Sequence, residues 1–183
     1  MIRIFDLCFA LLGLTFLFPI LFLIWVILWF DNGHPLFRQT RVGRNEVPFV
    51  LIKFRTMRLD TPSVATHLAD FSAVTPCGRL LRRTKLDELP QLWNVLLGKM
   101  SLVGPRPCLL NQQDLIIKRA ALGVFDARPG ITGLAQIQGI DMSTPELLAN
   151  TDAQMLQELT LSKYFQYILW TILGRGTGDP AAR

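Results

Sequence analysis

The first thirty residues form an almost uninterrupted apolar run. Between Leu7 and Phe30 the only polar side chain is Thr15. In a helix that rises about 1.5 Å per residue, such a run can cross a hydrocarbon core of about 30 Å. A cleaved signal peptide would be shorter and would end on small residues. This run ends instead on bulky side chains, namely Trp25, Trp29 and Phe30. Residues 1–31 are therefore predicted to be a membrane anchor.

The anchor contains a proline near its middle. Pro19 cannot donate a backbone hydrogen bond and its ring crowds the carbonyl of Thr15, so a kink is predicted there. A kinked helix can span the bilayer, or it can turn back at mid-depth and leave on the side that it entered. Both topologies remain open on the sequence.

Basic residues flank the anchor unequally. Arg3 and the amino terminus precede it. A larger group follows it closely: Arg38, Arg41, Arg44, Lys53, Arg55 and Arg58. Because positively charged flanks stay in the cytosol, the domain predicted at residues 32–173 should face the cytosol.

The remaining pattern predicts one hairpin and then mainly helices. Short β-favouring runs at Leu36–Val42 and Val47–Phe54 flank Gly43-Arg44-Asn45, which is typical of a β-hairpin. A basic turn or short helix is predicted at Gly78–Arg83, and helical stretches at Leu89–Leu97, Asn111–Leu122 and Pro145–Leu161. Residues 58–76 are predicted to be a loop, and a glycine-rich segment at 128–139 separates the last two helical stretches. The expected fold is α+β and mainly helical.

The carboxyl-terminal part of the chain is predicted to end on an aromatic helix and a tail. The helix, Tyr164–Ile172, is too short to span a membrane. It either lies as an amphipathic helix in the membrane interface or belongs to the core. Residues 174–183 are predicted to be a disordered tail.

Composition narrows the class of ligand. Half of the 183 residues are apolar, and 19 Lys and Arg against 14 Asp and Glu leave a net charge of +5. This balance suits nucleic acid, anionic lipid headgroups or phosphorylated small molecules. Three separated cysteines and two separated histidines indicate neither a disulfide framework nor a zinc site. The sequence also has no P-loop, no dinucleotide-binding fingerprint and no Asp-x-Asp motif.

Two adjacent carboxylates, Asp87 and Glu88, lie at the start of a predicted helix. Acids at that position complement the helix dipole, and Asp is a common cap, so a purely structural role competes. Four cations immediately upstream favour chemistry instead: Arg79, Arg82, Arg83 and Lys85. Such an acidic pair can hold Mg²⁺ while cations hold phosphate oxygens, and an Asp can attack phosphorus to form an acyl phosphate. Asp87 would then be the nucleophile, and Glu88 a metal ligand or base.

Two rigid turns present further arginines. Arg106 lies between two prolines, and Arg128 precedes Pro129 and Gly130. A rigid backbone reduces the entropy that is lost when a guanidinium binds a phosphate. Turn chemistry alone explains either turn, but the two together with the acidic pair favour one shared phosphate site.

Several motifs in a fixed order carry a resemblance to a known family. They are Lys53-Phe54-Arg55-Thr56-Met57, the segment 85–90, Gln91-Leu92-Trp93-Asn94-Val95-Leu96, and the segments 100–107 and 128–136. With them the chain resembles the bacterial sugar transferases, and more narrowly the small monotopic polyprenyl-phosphate phosphoglycosyl transferases. The similarity runs from the anchor to about Gln138.

The resemblance implies a re-entrant membrane helix at the cytosolic face of the bacterial inner membrane. It implies transfer of a sugar phosphate from a UDP-sugar to undecaprenyl phosphate, with Mg²⁺ as cofactor, UMP as product and a role at the start of surface glycan assembly. Asp87 matches the nucleophile of a two-step reaction and Glu88 its acidic partner at the metal. The candidate phosphate- or substrate-binding residues are Arg55, Arg82, Lys85, Arg106 and Arg128. Nucleic acid is not an expected partner, and a homo-oligomer is left open.

The chain departs from this family at two points. Phe18-Pro19 stands where relatives often have Ser-Pro, which leaves re-entrance open. The segment after Gly139 lacks the usual acidic and aromatic pattern, which leaves the sugar open. A competing hypothesis is a non-catalytic membrane-tethered module that binds anionic lipid or nucleic acid, for which the acidic pair is dispensable. A third keeps the site but transfers another phosphorylated alcohol.

Overall fold

The apolar amino-terminal run forms two helices that meet at a sharp bend. The structure, a computed structural model, describes residues 2–61 and 71–175. Helix α1 (Ile2–Phe16) and helix α2 (Phe18–Asn32) are bent by 62°. The predicted kink lies at Leu17 rather than at Pro19, because proline fits the first turn of α2, where its missing N–H costs nothing. Within the described ranges no single helix is long and apolar enough to cross a membrane, whereas the bent pair together has the length and composition.

The predicted hairpin is confirmed. Strand β1 (Leu36–Val42) pairs antiparallel with strand β2 (Pro48–Phe54), so that Leu36 faces Phe54 and Val42 faces Pro48. A tight turn, Arg44–Glu46, joins the two strands, and Asn45 and Glu46 adopt left-handed φ values of 54° and 60° in it. The hairpin follows the anchor directly, since Gly33 ends α2 in a left-handed conformation with a φ of 74°.

Six more helices complete the described fold. They are α3 (Pro76–Thr84), α4 (Gln91–Leu96), α5 (Gln113–Ala121), α6 (Leu134–Ile137), α7 (Pro145–Gln157) and α8 (Leu161–Ile172). The predicted helix Pro145–Leu161 was too long, because the Thr160 hydroxyl accepts from Lys163 N and starts a new helix. Of the loop predicted at 58–76, residues 71–73 form a 3₁₀ turn and residue 76 begins α3. Residues 62–70 of that loop and 176–183 of the predicted tail lie outside the described residues.

A short parallel sheet joins the two arginine-bearing turns. Strand β3 (Ser101–Val103) pairs with strand β4 (Gly130–Thr132), and β4 lies inside the glycine-rich segment 128–139. The backbones meet closely just beyond β3, where a Cβ on Gly104 would lie 2.5 Å from Arg128 O. Glycine is therefore required there. Neither strand was predicted from the sequence, because three-residue strands leave no visible periodicity.

Both anchor helices pack on the rest of the domain. Ala10 of α1 is buried against α4, and Ile24 and Leu28 of α2 are buried with Phe54 and Leu81. The outer faces of the same helices expose large apolar side chains, among them Phe16, Phe18, Trp29 and Phe30. The anchor is thus an integral part of the fold on one side and an exposed apolar surface on the other.

Helix α8 is divided in the same way. Tyr164 and Tyr167 are buried in the core, while Leu169 and Ile172 are exposed. The core interpretation of this helix therefore holds for one of its faces, and the other face presents apolar side chains.

The closest approach between α3 and the end of β2 gives a stability prediction. A Cβ on Gly78 would lie 2.1 Å from the Thr56 carbonyl oxygen, so backbone would have to move. We expect Gly78→Ala to cost about 3 kcal/mol of unfolding free energy. Gly139→Ala is the control, because nothing lies within 4 Å of its Cβ and only the positive φ is strained, at about 1 kcal/mol. Thermal unfolding in detergent measures both, and equal losses would contradict the close approach.

Candidate active site

The acidic pair lies in a tight turn between α3 and α4. Lys85 ends α3 with a φ of 58°, and the 3₁₀ turn Leu86–Glu88 follows at once. Asp87 is 6% exposed. The N-cap residue of α4 is Pro90, and no side-chain cap hydrogen bond is made there. Asp87 therefore does not cap α4, which removes the capping part of the structural explanation for it.

Cations from three elements surround the two carboxylates. Arg106 Nη2, from the turn after β3, lies 2.6 Å from Glu88 Oε1. The charges of Lys53 on β2 and Arg82 on α3 act on Asp87 and oppose the rise in its pKa that burial causes. The site is thus assembled from segments that are far apart in the chain.

The pKa values of the two carboxyl groups shift in opposite directions. Burial, followed by the neighbouring Glu88 charge, raises the pKa of Asp87 to about 7 against the opposing effect of the surrounding cations. Burial also disfavours the Glu88 carboxylate, but Arg106, through its charge and hydrogen bond, outweighs burial with the help of Lys53 and Lys85, so the pKa of Glu88 is lowered. Adjacent carboxyls with separated pKa values are typical of catalytic sites.

Lys53 is a site residue that sequence reasoning did not single out. Burial lowers its pKa to about 8, with the Asp87 charge opposing the shift. The signal was present in the strand pattern, because period-two alternation places Lys53 on the same face as the buried Phe49 and Leu51. A lysine on the inward face of a strand is unusual and indicates a partner inside the fold.

Arg82 is held in place by the end of β2. Its side chain is buried, and Nε donates to Thr56 Oγ1 at 2.8 Å. The close contact of Gly78 with the Thr56 backbone brings α3 near enough for this bond. The segment from Lys53 to Thr56 therefore supplies one cation directly and orients another.

The other predicted binding residues are placed differently. Lys85 acts on Glu88 by charge, while its Nζ donates to Arg175 O at 3.0 Å. Arg55 Nε donates to His34 O at 3.0 Å and ties the end of β2 to the segment after the anchor. Arg128 Nε donates to Gly98 O at 2.9 Å, just after α4. The described hydrogen bonds of Arg55 and Arg128 thus go to backbone carbonyls and not to the acidic pair, and their predicted roles stay predictions.

Comparison with known proteins gives the family. The model of the family described as bacterial sugar transferase matches residues 1–176, which include both the anchor and the acidic pair. The chain belongs to the bacterial sugar transferase family. The resemblance inferred from the motifs is thereby confirmed.

Individual relatives of this sugar transferase carry more specific names. A UDP-glucose:undecaprenyl-phosphate glucose-1-phosphate transferase from Caulobacter vibrioides is 40% identical, over 98% of this chain and 71% of its own length. A UDP-galactose-lipid carrier transferase from Erwinia amylovora is 38% identical, over 75% of this chain and 32% of its own length. An undecaprenyl-phosphate galactose phosphotransferase from Salmonella typhimurium is 34% identical, over 75% of this chain and 32% of its own length. The chain thus spans about a third of the length of the last two relatives.

The acidic pair of the transferase suits a divalent cation. Among residues 2–61 and 71–175, no cluster of three or more His, Cys, Asp or Glu side chains is arranged to hold a metal. Mg²⁺ at phosphate sites needs only one or two carboxylates, since water and substrate phosphates complete its shell. The raised pKa of Asp87 shows that nearby cations do not fully compensate its buried charge, so a further cation would stabilise the ionised form. The residues present therefore fit the predicted metal.

The raised pKa of Asp87 gives a stability prediction. It is opposite to the one for a helix cap, whose loss would lower stability. The folded-state pKa of Asp87, about 7, exceeds that of an exposed Asp, about 4, so ionisation of Asp87 destabilises the fold as the pH rises between these values. In metal-free buffer at about pH 8, we expect Asp87→Asn to raise Tm, and the gain should vanish toward about pH 4.

The control for this measurement is an exposed acid. Asp114 is largely exposed beside Lys118, and Asp114→Asn should change Tm little at either pH. A lower Tm for Asp87→Asn at the higher pH would show that the carboxylate stabilises the turn, against the argument from burial.

Proposed function

We propose that this protein transfers a sugar 1-phosphate from a UDP-sugar to undecaprenyl phosphate, which yields undecaprenyl-diphosphate-sugar and UMP. The observation that carries the proposal is a buried Asp87 with a raised pKa, beside Glu88 and among cations, in a domain whose anchor exposes an apolar surface. The family supports transfer of a sugar, and the names of the relatives supply the sugar phosphate, the lipid acceptor and the nucleotide donor.

Asp87 is the nucleophile in this proposal. Its carboxylate oxygen bonds to the phosphorus that carries the sugar, and the bond from that phosphorus to the oxygen bridging to UMP breaks, so UMP leaves with the bridging oxygen. A phosphate oxygen of undecaprenyl phosphate then attacks the same phosphorus, and the Asp87 carboxylate is released unchanged. A pKa of about 7 leaves a substantial ionised fraction at neutral pH while keeping the carboxylate more basic than an exposed one.

The surrounding cations stabilise the charge of the phosphates. Arg106 is suited to this role because its side chain is 43% exposed although it is bonded to Glu88, so a ligand can reach the guanidinium. Lys53 and Arg82 approach Asp87 from two other elements and hold it in place by charge. Mg²⁺ held by Asp87 and Glu88 would neutralise charge on the diphosphate of the donor.

The packing of the anchor supports a re-entrant topology. At the start of α1, Arg3 donates to the carbonyls of Val95 and Met100, at 2.6 and 3.1 Å. At the end of α2, Leu28 is buried with Phe54 of the hairpin. Both ends of the bent pair therefore contact the same domain. We propose that the bend at Leu17 points into the bilayer, with the domain at the cytosolic face of the bacterial inner membrane.

Release of UMP tests the reaction. Purified protein in nanodiscs with undecaprenyl phosphate, Mg²⁺ and a panel of UDP-sugars should release UMP from at least one donor, and Asp87→Asn should lower the rate at least about a thousand-fold. Without undecaprenyl phosphate, the wild type should release one UMP per active site in a burst and gain the mass of a sugar phosphate. Asp114→Asn, which alters an exposed acid on α5, should keep the wild-type rate.

The other outcomes decide between the hypotheses. Full activity of Asp87→Asn would remove Asp87 as nucleophile. Release of a different nucleotide from another donor would favour the transfer of another phosphorylated alcohol. A folded wild type that is inactive on every donor but binds anionic vesicles equally well with Asp87→Asn would favour the non-catalytic module.

Labelling of residue 2 tests the topology. Cysteine is introduced as Ile2→Cys after Cys8, Cys77 and Cys108 are replaced by serine, since Cys8 is exposed on α1. We expect an impermeant thiol reagent to label it from the cytosolic side only, as it should label Arg44→Cys in the hairpin turn. Labelling of residue 2 from the opposite side would show that the anchor spans the membrane.

A further inference from the structure

The turn that carries Arg106 is held by donors from outside it. Because it lies in neither a helix nor a strand and contains two prolines, its carbonyls need partners elsewhere in the fold. Consecutive carbonyl oxygens accept from Gly130 N (Pro105 O, 2.9 Å), Arg119 Nη1 (Arg106 O, 2.8 Å), Arg41 Nη1 (Pro107 O, 3.1 Å) and Val42 N (Cys108 O, 3.0 Å). The conformation of the turn is thus fixed one residue at a time.

The donor to the Arg106 carbonyl is itself part of a buried ion pair. Arg119 on α5 is 1% exposed, and Asp152 on α7 is fully buried. Nε and Nη2 of Arg119 both bond to Asp152 Oδ2, at 3.0 and 2.5 Å, and this leaves Nη1 directed at Arg106 O. One planar guanidinium therefore binds both Asp152 on α7 and the backbone of the turn, so the position of α7 fixes that of the turn.

A purely stabilising role explains this pair poorly. Burying two charges costs much of what their attraction returns, so an apolar pair of similar volume is often as stable. What an apolar pair would lack is a donor for Arg106 O. Catalytic geometry, by contrast, depends strongly on such positioning, since an error of about 1 Å can cost about a hundred-fold in rate.

We propose that Arg119 and Asp152 are positioning residues of the active site. By holding the Arg106 carbonyl, they fix the turn from which the Arg106 side chain reaches Glu88 and the substrate phosphates. The part of this inference that concerns substrate rests on the proposed transferase function. It also gives α7, which lies in the segment after Gly139, a role in the site.

The test replaces the ion pair by apolar side chains. In Arg119→Met with Asp152→Leu, we expect Tm to stay close to that of the wild type, amide exchange in the peptide 101–112 to rise, and kcat for UMP release to fall about a hundred-fold. Arg119→Lys is the alternative if the double variant does not fold. It keeps the charge but loses the planar fork, so it should show the same changes in exchange and rate to a smaller extent.

A neighbouring ion pair serves as the matched control. Lys118 Nζ lies 3.7 Å from Glu146 Oε2 and also joins α5 to α7, but at the surface. Lys118→Met with Glu146→Gln should leave both the exchange in 101–112 and the rate unchanged. A loss in this variant equal to that of the buried pair would mean that any link between the helices suffices, which overturns the inference.

Combination with Arg106→Ala separates positioning from general damage. If the pair acts through Arg106, adding the apolar pair to Arg106→Ala should slow UMP release no further. If the two rate losses multiply, the inference is overturned.

Amide exchange tests the positioning role independently of catalysis. Unchanged exchange in 101–112 refutes the positioning role even in an active enzyme. Raised exchange supports that role even if the wild type releases no UMP, a result that would count against the transferase function alone.

Discussion

Keeping two adjacent carboxylates out of bulk water is the constraint on which the rest of this structure depends. Asp87 and Glu88 cannot both be ionised in a buried turn unless positive charge is brought close to them. The fold places three cations near them: Lys53 from a strand, Arg82 from a helix and Arg106 from a turn. Compensation is complete for Glu88, whose pKa falls, and incomplete for Asp87, whose pKa rises to about 7. That imbalance destabilises the ionised form of Asp87 in the turn.

Each of these cations is positioned by a further feature of the fold. Lys53 is placed by strand alternation, Arg82 by its bond to Thr56, and the Arg106 turn by Arg119. Side chains that are held in this way keep their charges around the acidic pair without rearranging. Helices α5 and α7 supply Arg119 and Asp152. They act on the acidic pair indirectly, because Arg119 holds the backbone carbonyl of Arg106.

The anchor shares this network. Asp6 of α1 accepts hydrogen bonds from Ser101 Oγ, Leu102 N and Tyr164 Oη, each at 2.9 Å. Ser101 and Leu102 belong to β3, which leads directly into the Arg106 turn. A carboxylate in the first helix thus fixes the strand next to the candidate site, and it holds the apolar surface of the anchor in a defined position relative to the acidic pair.

The sequence by itself determined the local features and the family. The apolar run, its kink, the hairpin and most helices follow from periodicity and from proline, because these signals act between residues a few positions apart. The ordered motifs identified the family and, within it, Asp87 and Glu88. Only the tertiary structure decided which cations meet that pair: it brought in Lys53, placed Arg82 of the upstream cations beside Asp87, and bonded Arg106 to Glu88. The bonds of Arg55 and Arg128 go instead to backbone carbonyls. It also decided the pairing of β3 with β4 and the support of Arg106 by Arg119 and Asp152. Such contacts join segments that are distant along the chain, and they depend on how elements pack, which no local pattern of residues encodes.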